Sequence, residues 1–317
     1  MDAFLEVRNL KKYFENRAGM LHAVDDVSFT IDKGKTLGVV GESGCGKTTL
    51  GRTLVQLIRK TSGQMYFEGK EISDPKKKEL KVLREKMQII FQDPYSSIDP
   101  RMSVSDSIME PLIIQGKLTK PDRRTEVRRL MDTVGLAARL ENSYPHELDG
   151  GRRQRIGVAR ALALKPKFIV CDEPVSALDV SIQAQIINLM LDLQEDLGLS
   201  YMFVTHDLSV VNYISDDIMV MYLGNMVEKS PADELFRNPL HPYTKALLSA
   251  IPVPDIHKQV DRIIMQGEIT SPINPKPGCR FKARCRYVSA ECDNPQVLEE
   301  PSEGHFVACC NFKTIAS

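Results

Sequence analysis

Eight residues constrain this chain more than all the rest: Gly41-Glu42-Ser43-Gly44-Cys45-Gly46-Lys47-Thr48, directly after the apolar run Thr36-Leu37-Gly38-Val39-Val40. A continuous apolar stretch of that length reads as a buried strand, and helix-forming sequence begins near Lys47. Strand, glycine loop and helix is the context that a phosphate-binding loop requires. Its glycines let successive backbone N–H groups turn inward onto phosphate oxygens, Lys47 reaches the β- and γ-phosphates, and the Thr48 hydroxyl ligates Mg²⁺. The positive end of the helix dipole adds to the cradle. The expected phosphate set is therefore Gly41, Ser43, Gly44, Cys45, Gly46, Lys47, Thr48 and Thr49.

The surroundings point to an α/β fold. Apolar and polar residues alternate over 4–10 and 23–31, which predicts half-buried antiparallel strands at the start of the chain. Short buried strands are expected at 87–91, 168–172, 201–205 and 218–222. Helical stretches at 122–134, 152–164 and 181–197 separate them, so the sheet should be largely parallel with both faces covered. Segment 74–86 is highly charged and reads as a solvated helix or loop. Prolines at 252, 254, 272, 275 and 277 mark a change of character, which divides the chain into 1–250 and 251–317. No internal repeat is visible and only one phosphate loop is present, so one nucleotide domain is expected.

Composition excludes several classes. Lys plus Arg and Asp plus Glu number 42 each, so no bulk positive field holds nucleic acid or an anionic surface. No apolar run approaches the roughly 18–20 residues that span a bilayer. The acidic, weakly apolar N-terminus does not read as a secretory signal, and a cytosolic location is expected. Of seven cysteines, five (Cys279, Cys285, Cys292, Cys309 and Cys310) lie near the C-terminus. In a cytosolic chain that clustering suggests a cofactor rather than disulfides. Cys45 and Cys171 read as small buried residues.

A magnesium nucleotide needs a second acidic contact. Phe168-Ile169-Val170-Cys171-Asp172-Glu173 is an apolar strand delivering two carboxylates at its end, Asp172 to hold the metal through water and Glu173 to polarise the attacking water. With these motifs in order, residues 4–250 resemble the ATPase subunit of an ABC transporter. The resemblance implies a RecA-like parallel core, an antiparallel β subdomain, a helical signature subdomain and, here, a C-terminal cysteine-containing extension. It implies that Tyr13 stacks on adenine, that Gln92 in Phe91-Gln92-Asp93-Pro94 senses Mg²⁺ and the membrane partner, and that His206 contacts the γ-phosphate. Ser176-Ala177-Leu178-Asp179 resembles the D-loop. The implied catalytic set is Lys47, Gln92, Glu173 and His206, with Thr48, Gln92 and Asp172 toward Mg²⁺.

Leu148-Asp149-Gly150-Gly151-Arg152 stands at the signature position, where Asp149, Gly150 and Gly151 would face the ATP of a partner subunit. The family usually has serine and glutamine where this chain has Asp149 and Arg152. A carboxylate beside a γ-phosphate is unfavourable unless Arg152 offsets it, so one expectation is a heterodimer with unequal sites and the other a tolerated swap.

Leu240-His241-Pro242-Tyr243-Thr244-Lys245-Ala246-Leu247-Leu248 and the segment Phe91 to Arg101 resemble the oligopeptide/dipeptide importer branch. That resemblance implies two transmembrane permease subunits, an extracytoplasmic substrate-binding protein, no nucleic acid, and a peripheral place on the cytoplasmic face of the membrane. Nickel and sugar importers share the branch, so the cargo stays open. Several members hold a [4Fe-4S] cluster in the place matching Cys279, Cys285, Cys292 and Cys309. Zinc and free thiols are the alternatives, zinc sites usually having closer cysteine pairs; Cys310 could replace Cys309. The rival functions are a soluble ABC ATPase acting on nucleic acid or ribosomes, which the absence of a long coiled coil and of a second nucleotide domain disfavours, and a non-hydrolysing regulatory module, which Glu173 and His206 disfavour.

Overall fold

The protein is described by a computed structural model covering residues 3–251, 262–268 and 270–316. The expected boundary prolines at 252 and 254 lie outside the described residues. The strands are β1 (Leu5–Asn16), β2 (Gly19–Ile31), β3 (Thr36–Val40), β4 (Ser62–Phe67), β5 (Lys70–Glu71), β6 (Met87–Ile90), β7 (Phe168–Asp172), β8 (Ser200–Val204), β9 (Asp217–Tyr222), β10 (Asn225–Pro231), β11 (Glu299–Ser302) and β12 (His305–Val307). They fall into two compact units, one from Met1–Asp32, Thr36–Ser73 and Thr205–Ser317, the other from Lys33–Lys35 and Asp74–Val204.

In the first unit, β1, β2, β4 and β5 form an antiparallel sheet in the order β2-β1-β4-β5. The alternation expected at 4–10 and 23–31 is present but the strands are longer, and their phase resets where Asn9 and Asp26 adopt positive φ of 48° and 60°. Asn and Asp tolerate that region, and the Asn9 amide donates to the Asp26 carboxylate across the irregularity at 3.0 Å. All five residues of β3 are buried, and β3 runs parallel to β9 from Leu37 opposite Asp217 to Val40 opposite Val220. Each such Leu, Val or Ile contributes roughly 1.5–3 kcal/mol by leaving water. Beyond β9 the pairing becomes antiparallel: β10 pairs with β9 and β12, and β11 with β12. The C-terminal strands β12 and β11 thus extend the edge beyond β10, with β9 and β10 between them and the strand that ends in the glycine loop.

The second unit holds the parallel strands β6, β7 and β8, with Met87 opposite Phe168 and Phe168 opposite Ser200. Its helices start where side chains satisfy the first free amides. Ser103, Thr119, Asp149 and Asp179 cap the helices Val104–Gln115, Lys120–Thr133, Gly150–Leu162 and Val180–Leu197. The charged segment 74–86 resolves as a helix, Lys77–Lys86, with Leu83 its buried residue.

Candidate nucleotide site

The glycine loop takes the form its residues demand. Gly41 has φ +150°, and a Cβ there would lie 2.2 Å from the Met221 carbonyl oxygen. Gly46, at φ +103°, would place one 2.0 Å from the Ala23 carbonyl oxygen and is the N-cap of the helix Lys47–Leu54. No side chain caps that helix, so its first N–H groups face the loop, the arrangement that binds anions. Lys47 is buried, and its ammonium donates to the carbonyls of Gly41 and Glu42 at 2.7 and 3.2 Å. Burial pushes the Cys45 and Cys171 thiols above their ordinary range, in keeping with small inert core residues.

Three more features of this unit bear on the loop. Tyr13 stacks on His22 with ring centroids 3.9 Å apart and donates its hydroxyl to Asp25. Burial opposes the charge on Asp25, but hydrogen bonds from His22 and Tyr13 and the charge of Arg280 hold its pKa below the usual value. His206 is exposed and follows Thr205, whose amide donates to Val39 of β3 at 3.2 Å.

In the second unit Asp172 is buried at the end of β7 and Glu173 follows in a left-handed conformation, φ 48°. The Glu173 amide donates to Val204 at 2.9 Å, and Gln92 donates its side-chain amide to Glu173 Oε2 at 2.8 Å. Gln92 and Glu173, 81 positions apart, are thereby brought together. Hydroxyl, amide and carboxylate oxygens such as those of Thr48, Gln92 and Asp172 are the donor type that suits Mg²⁺.

At the signature position Asp149 is the N-cap of Gly150–Leu162. Its Oδ1 accepts from the Arg152 amide at 2.8 Å, and its Oδ2 lies 3.5 Å from the Arg152 guanidinium. Serine and aspartate cap helices about equally well, so the swap keeps the local fold and turns part of the carboxylate's charge onto its own helix. The glycines are packing requirements: a Cβ on Gly151 would meet Ile182 at 2.6 Å, and one on Gly150 would meet Leu178 at 3.0 Å. Farther along, Ser97, Ile98, Asp99, Pro100, Arg101, Glu110 and Arg160 line a cleft of about 580 Å³. The Arg101 side chain holds the Asp99 pKa down to about 2.

The C-terminal thiols are all free. The Cys279 amide donates to the Cys292 carbonyl at 2.8 Å, the sulfurs of Cys292 and Cys310 are 3.7 Å apart, and amides of Tyr287 and Ser289 donate to Cys285 and Cys292 at 3.4 and 3.5 Å. Burial, then neighbouring thiols, push Cys279 up to about 11 and Cys309 up to about 12. Among the described residues no three His, Cys, Asp or Glu converge on a single-ion site. A zinc with sulfurs at about 2.3 Å would draw every pair to within about 4 Å, so this donor set does not fit one zinc. The N–H groups aimed at Cys285 and Cys292 are the type of hydrogen bond that cluster-ligating sulfurs accept.

Residues 24–176 match the family described as "ABC transporter", and residues 227–292 match "Oligopeptide/dipeptide transporter, C-terminal region". The dipeptide transport ATP-binding protein DppF of Haemophilus influenzae is 48% identical over 312 residues, 96% of this chain and 95% of that one. The oligopeptide transport ATP-binding protein AppF of Bacillus subtilis is 49% identical over 319 residues, 97% of each. The chain belongs to the ABC transporter ATP-binding subunits, in their oligopeptide/dipeptide branch. As such it is an ATPase. Among solved structures, the ATP-binding cassette MJ0796 in a dimeric post-hydrolysis state with ADP and Pi shares 27% identity and a TM-score of 0.66, covering 72% of this chain and 98% of that one. CbiO1 from Clostridium perfringens, part of the transporter complex cbiONQ, shares 28% identity and a TM-score of 0.67, covering 75% and 92%. No helix among the described residues is long and apolar enough to cross a membrane.

Sequence reasoning passed over several residues around the ABC phosphate loop. The Tyr243 hydroxyl accepts from the Glu42 amide at 2.8 Å, and Arg284 pairs with the Glu42 carboxylate at 2.7 Å. Tyr243 belonged to a segment noticed only for its resemblance. The signal for Arg284 was its place between two cysteines.

Proposed function

We infer that this chain is the ATP-hydrolysing subunit of an importer of di- or oligopeptides, seated peripherally on the cytoplasmic face of the membrane beneath two permease subunits. What carries the reading is that both named peptide-transport relatives match almost the whole chain, cysteine-bearing C-terminal segment included. In this reading residues 1–250 are the nucleotide-binding portion and 251–317 the extension, although the second family match begins upstream of that division, at 227. Lys47 exchanges the carbonyls of Gly41 and Glu42 for phosphate oxygens, and Glu173, oriented by Gln92, takes the proton of the attacking water. Thr48, Gln92 and Asp172 would hold Mg²⁺, which neutralises phosphate charge when bound. Tyr13 stacks on adenine, His206 meets the γ-phosphate, and Asp149, Gly150 and Gly151 complete the site of a second ATPase subunit across a head-to-tail dimer.

The test is affinity purification of the tagged chain from membranes, with uptake of a labelled dipeptide. Two polytopic chains, a second ATPase subunit and uptake that depends on Lys47 are expected. Nucleic acid in their place would overturn the transport reading.

The departure at Asp149 supports a partner of different sequence and unequal sites. Asp149→Ser in the assembled complex is expected to raise the ATPase rate, and an unchanged rate removes that asymmetry. For the thiols of Cys279, Cys285, Cys292 and Cys309, with Cys310 adjacent, we infer a [4Fe-4S] cluster fed by an extension that orders them. Protein purified anaerobically should be brown and carry about four irons and four sulfides, as the cluster's formula requires. A colourless, iron-free and normally folded sample ends that assignment.

A further inference from the structure

We propose that Arg280 and Arg284, on the cysteine-bearing C-terminal segment, are positioning residues of the nucleotide site, one holding the phosphate loop and the other the aromatic expected to stack on the base. The proposal rests on the nucleotide-site reading above and deepens it. Both arginines lie in Cys279-Arg280-Phe281-Lys282-Ala283-Arg284-Cys285. Phe281, 2% exposed, wedges the segment in place, its ring packed edge-on against Tyr222 at 5.2 Å and tilted against Tyr243 at 5.4 Å.

From that anchor the two guanidinium groups reach different loops. Arg284 grips Glu42 in bidentate fashion, Nη1 to Oε2 at 2.7 Å and Nη2 to Oε1 at 3.1 Å. Glu42 is the second residue of the phosphate loop. Its amide is held by Tyr243, and its carbonyl is one of the two that Lys47 now occupies. Arg280 donates to the Leu223 carbonyl and pairs with Asp25. Asp25 in turn accepts from the Tyr13 hydroxyl and lies 2.9 Å from a ring nitrogen of His22, the ring on which Tyr13 stacks.

The side chains of both arginines and of Asp25 are 8–15% exposed and that of Glu42 is 24% exposed. In such surroundings the forked Arg284–Glu42 pair fixes angle as well as distance, and Arg280 holds a carbonyl and a carboxylate with its two terminal nitrogens, a planar geometry that a lysine cannot reproduce. Neither arginine touches a group expected to react, so each acts through its carboxylate. Cys279 and Cys285 bracket the pair, so order imposed on those thiols reaches the nucleotide loops through these two contacts.

The experiment measures binding of a fluorescent ATP analogue to the full-length chain and, in the assembled complex, KM for ATP and kcat. Arg284→Ala and Arg280→Ala are expected to weaken analogue binding and raise KM about 10- to 100-fold, the range for groups that orient a binding residue, with kcat within about threefold. Arg284→Lys and Arg280→Lys, which keep the charge and guard against misfolding, should fall between wild type and alanine. A double-mutant cycle of Arg284→Ala with Glu42→Ala should be strongly non-additive, because both remove one contact. Unchanged binding in folded lysine and alanine variants, or additive effects of Arg284 and Glu42, would overturn the proposal. Failure of the nucleotide-site reading looks different: wild type itself would not bind the analogue, or Lys47→Ala would bind it normally.

Discussion

Glu173→Gln is expected to leave ATP binding intact and lower the hydrolysis rate of the assembled complex by roughly 10²- to 10⁴-fold, the usual contribution of a positioned general base. The substitution keeps volume and one carbonyl oxygen, so the 2.8 Å hydrogen bond from the Gln92 amide can persist and the geometry survives. What disappears is basicity. Glu173 stands in a left-handed conformation at φ 48°, held by its amide's bond to Val204 and by Ser176, whose hydroxyl donates to its carbonyl at 3.1 Å. Non-glycine residues adopt that conformation at some cost, and here it aims the carboxylate at Gln92 instead of letting it continue the strand. Gln92→Ala should therefore give a smaller loss, because the base remains but turns more freely. Hydrolysis by Glu173→Gln within about threefold of wild type would remove Glu173 from the base role and send the search to another carboxylate.

The parts of this site that were legible in sequence are those where local chemistry allows few alternatives. Glycines at 41 and 46 must be glycine because carbonyls of Met221 and Ala23 occupy the space of a Cβ, and a run such as Phe168–Asp172 buries every residue. The buried strands expected at 87–91, 168–172, 201–205 and 218–222 therefore came within a few residues of those observed. What escaped were partnerships made over long sequence separations by residues that look ordinary. Glu42 and Arg284 are 242 positions apart, and Asp25 and Arg280 are 255 apart. Nothing in an arginine between cysteines reveals which carboxylate it will meet. The strand β10 was hidden for a related reason: Met226-Val227-Glu228-Lys229-Ser230 reads as surface, yet Glu228, Lys229 and Ser230 are buried. Asp149 was legible only in part: its departure from serine shows in the sequence, but not that its carboxylate caps the helix Gly150–Leu162 and accepts from the Arg152 amide at 2.8 Å.

The largest stability effect is expected at Glu228, where that hidden strand meets the C-terminus. Glu228 and His305 are both fully buried. The carboxylate accepts from His305 Nε2 at 2.8 Å and from the amides of Leu240 and His241 at 2.7 and 2.9 Å. Glu228→Ala strands all three donors at once and should destabilise the protein by about 3–5 kcal/mol, read as a lower midpoint in urea with β12 losing hydrogen-exchange protection first. Glu228→Gln, which keeps acceptor oxygen but turns an amide toward a donor, should lie between. Its neighbour His241 sets the acid limit. Burial, opposed by the charge of Glu228, lowers its pKa to about 4, and its ring nitrogen accepts from the Tyr243 amide at 3.1 Å. The unfolded chain takes up that proton near pH 6.5, so between about 4 and 6.5 it binds more protons than the folded one. Stability associated with neutral His241 is thus complete above about pH 6.5 and drains away as the pH falls toward 4. His241→Asn keeps a side chain able to cap the helix Pro242–Ser249 but removes the titration. It should flatten the loss between pH 6.5 and 4.5, and an equally steep profile in that variant would assign the acid sensitivity to another group.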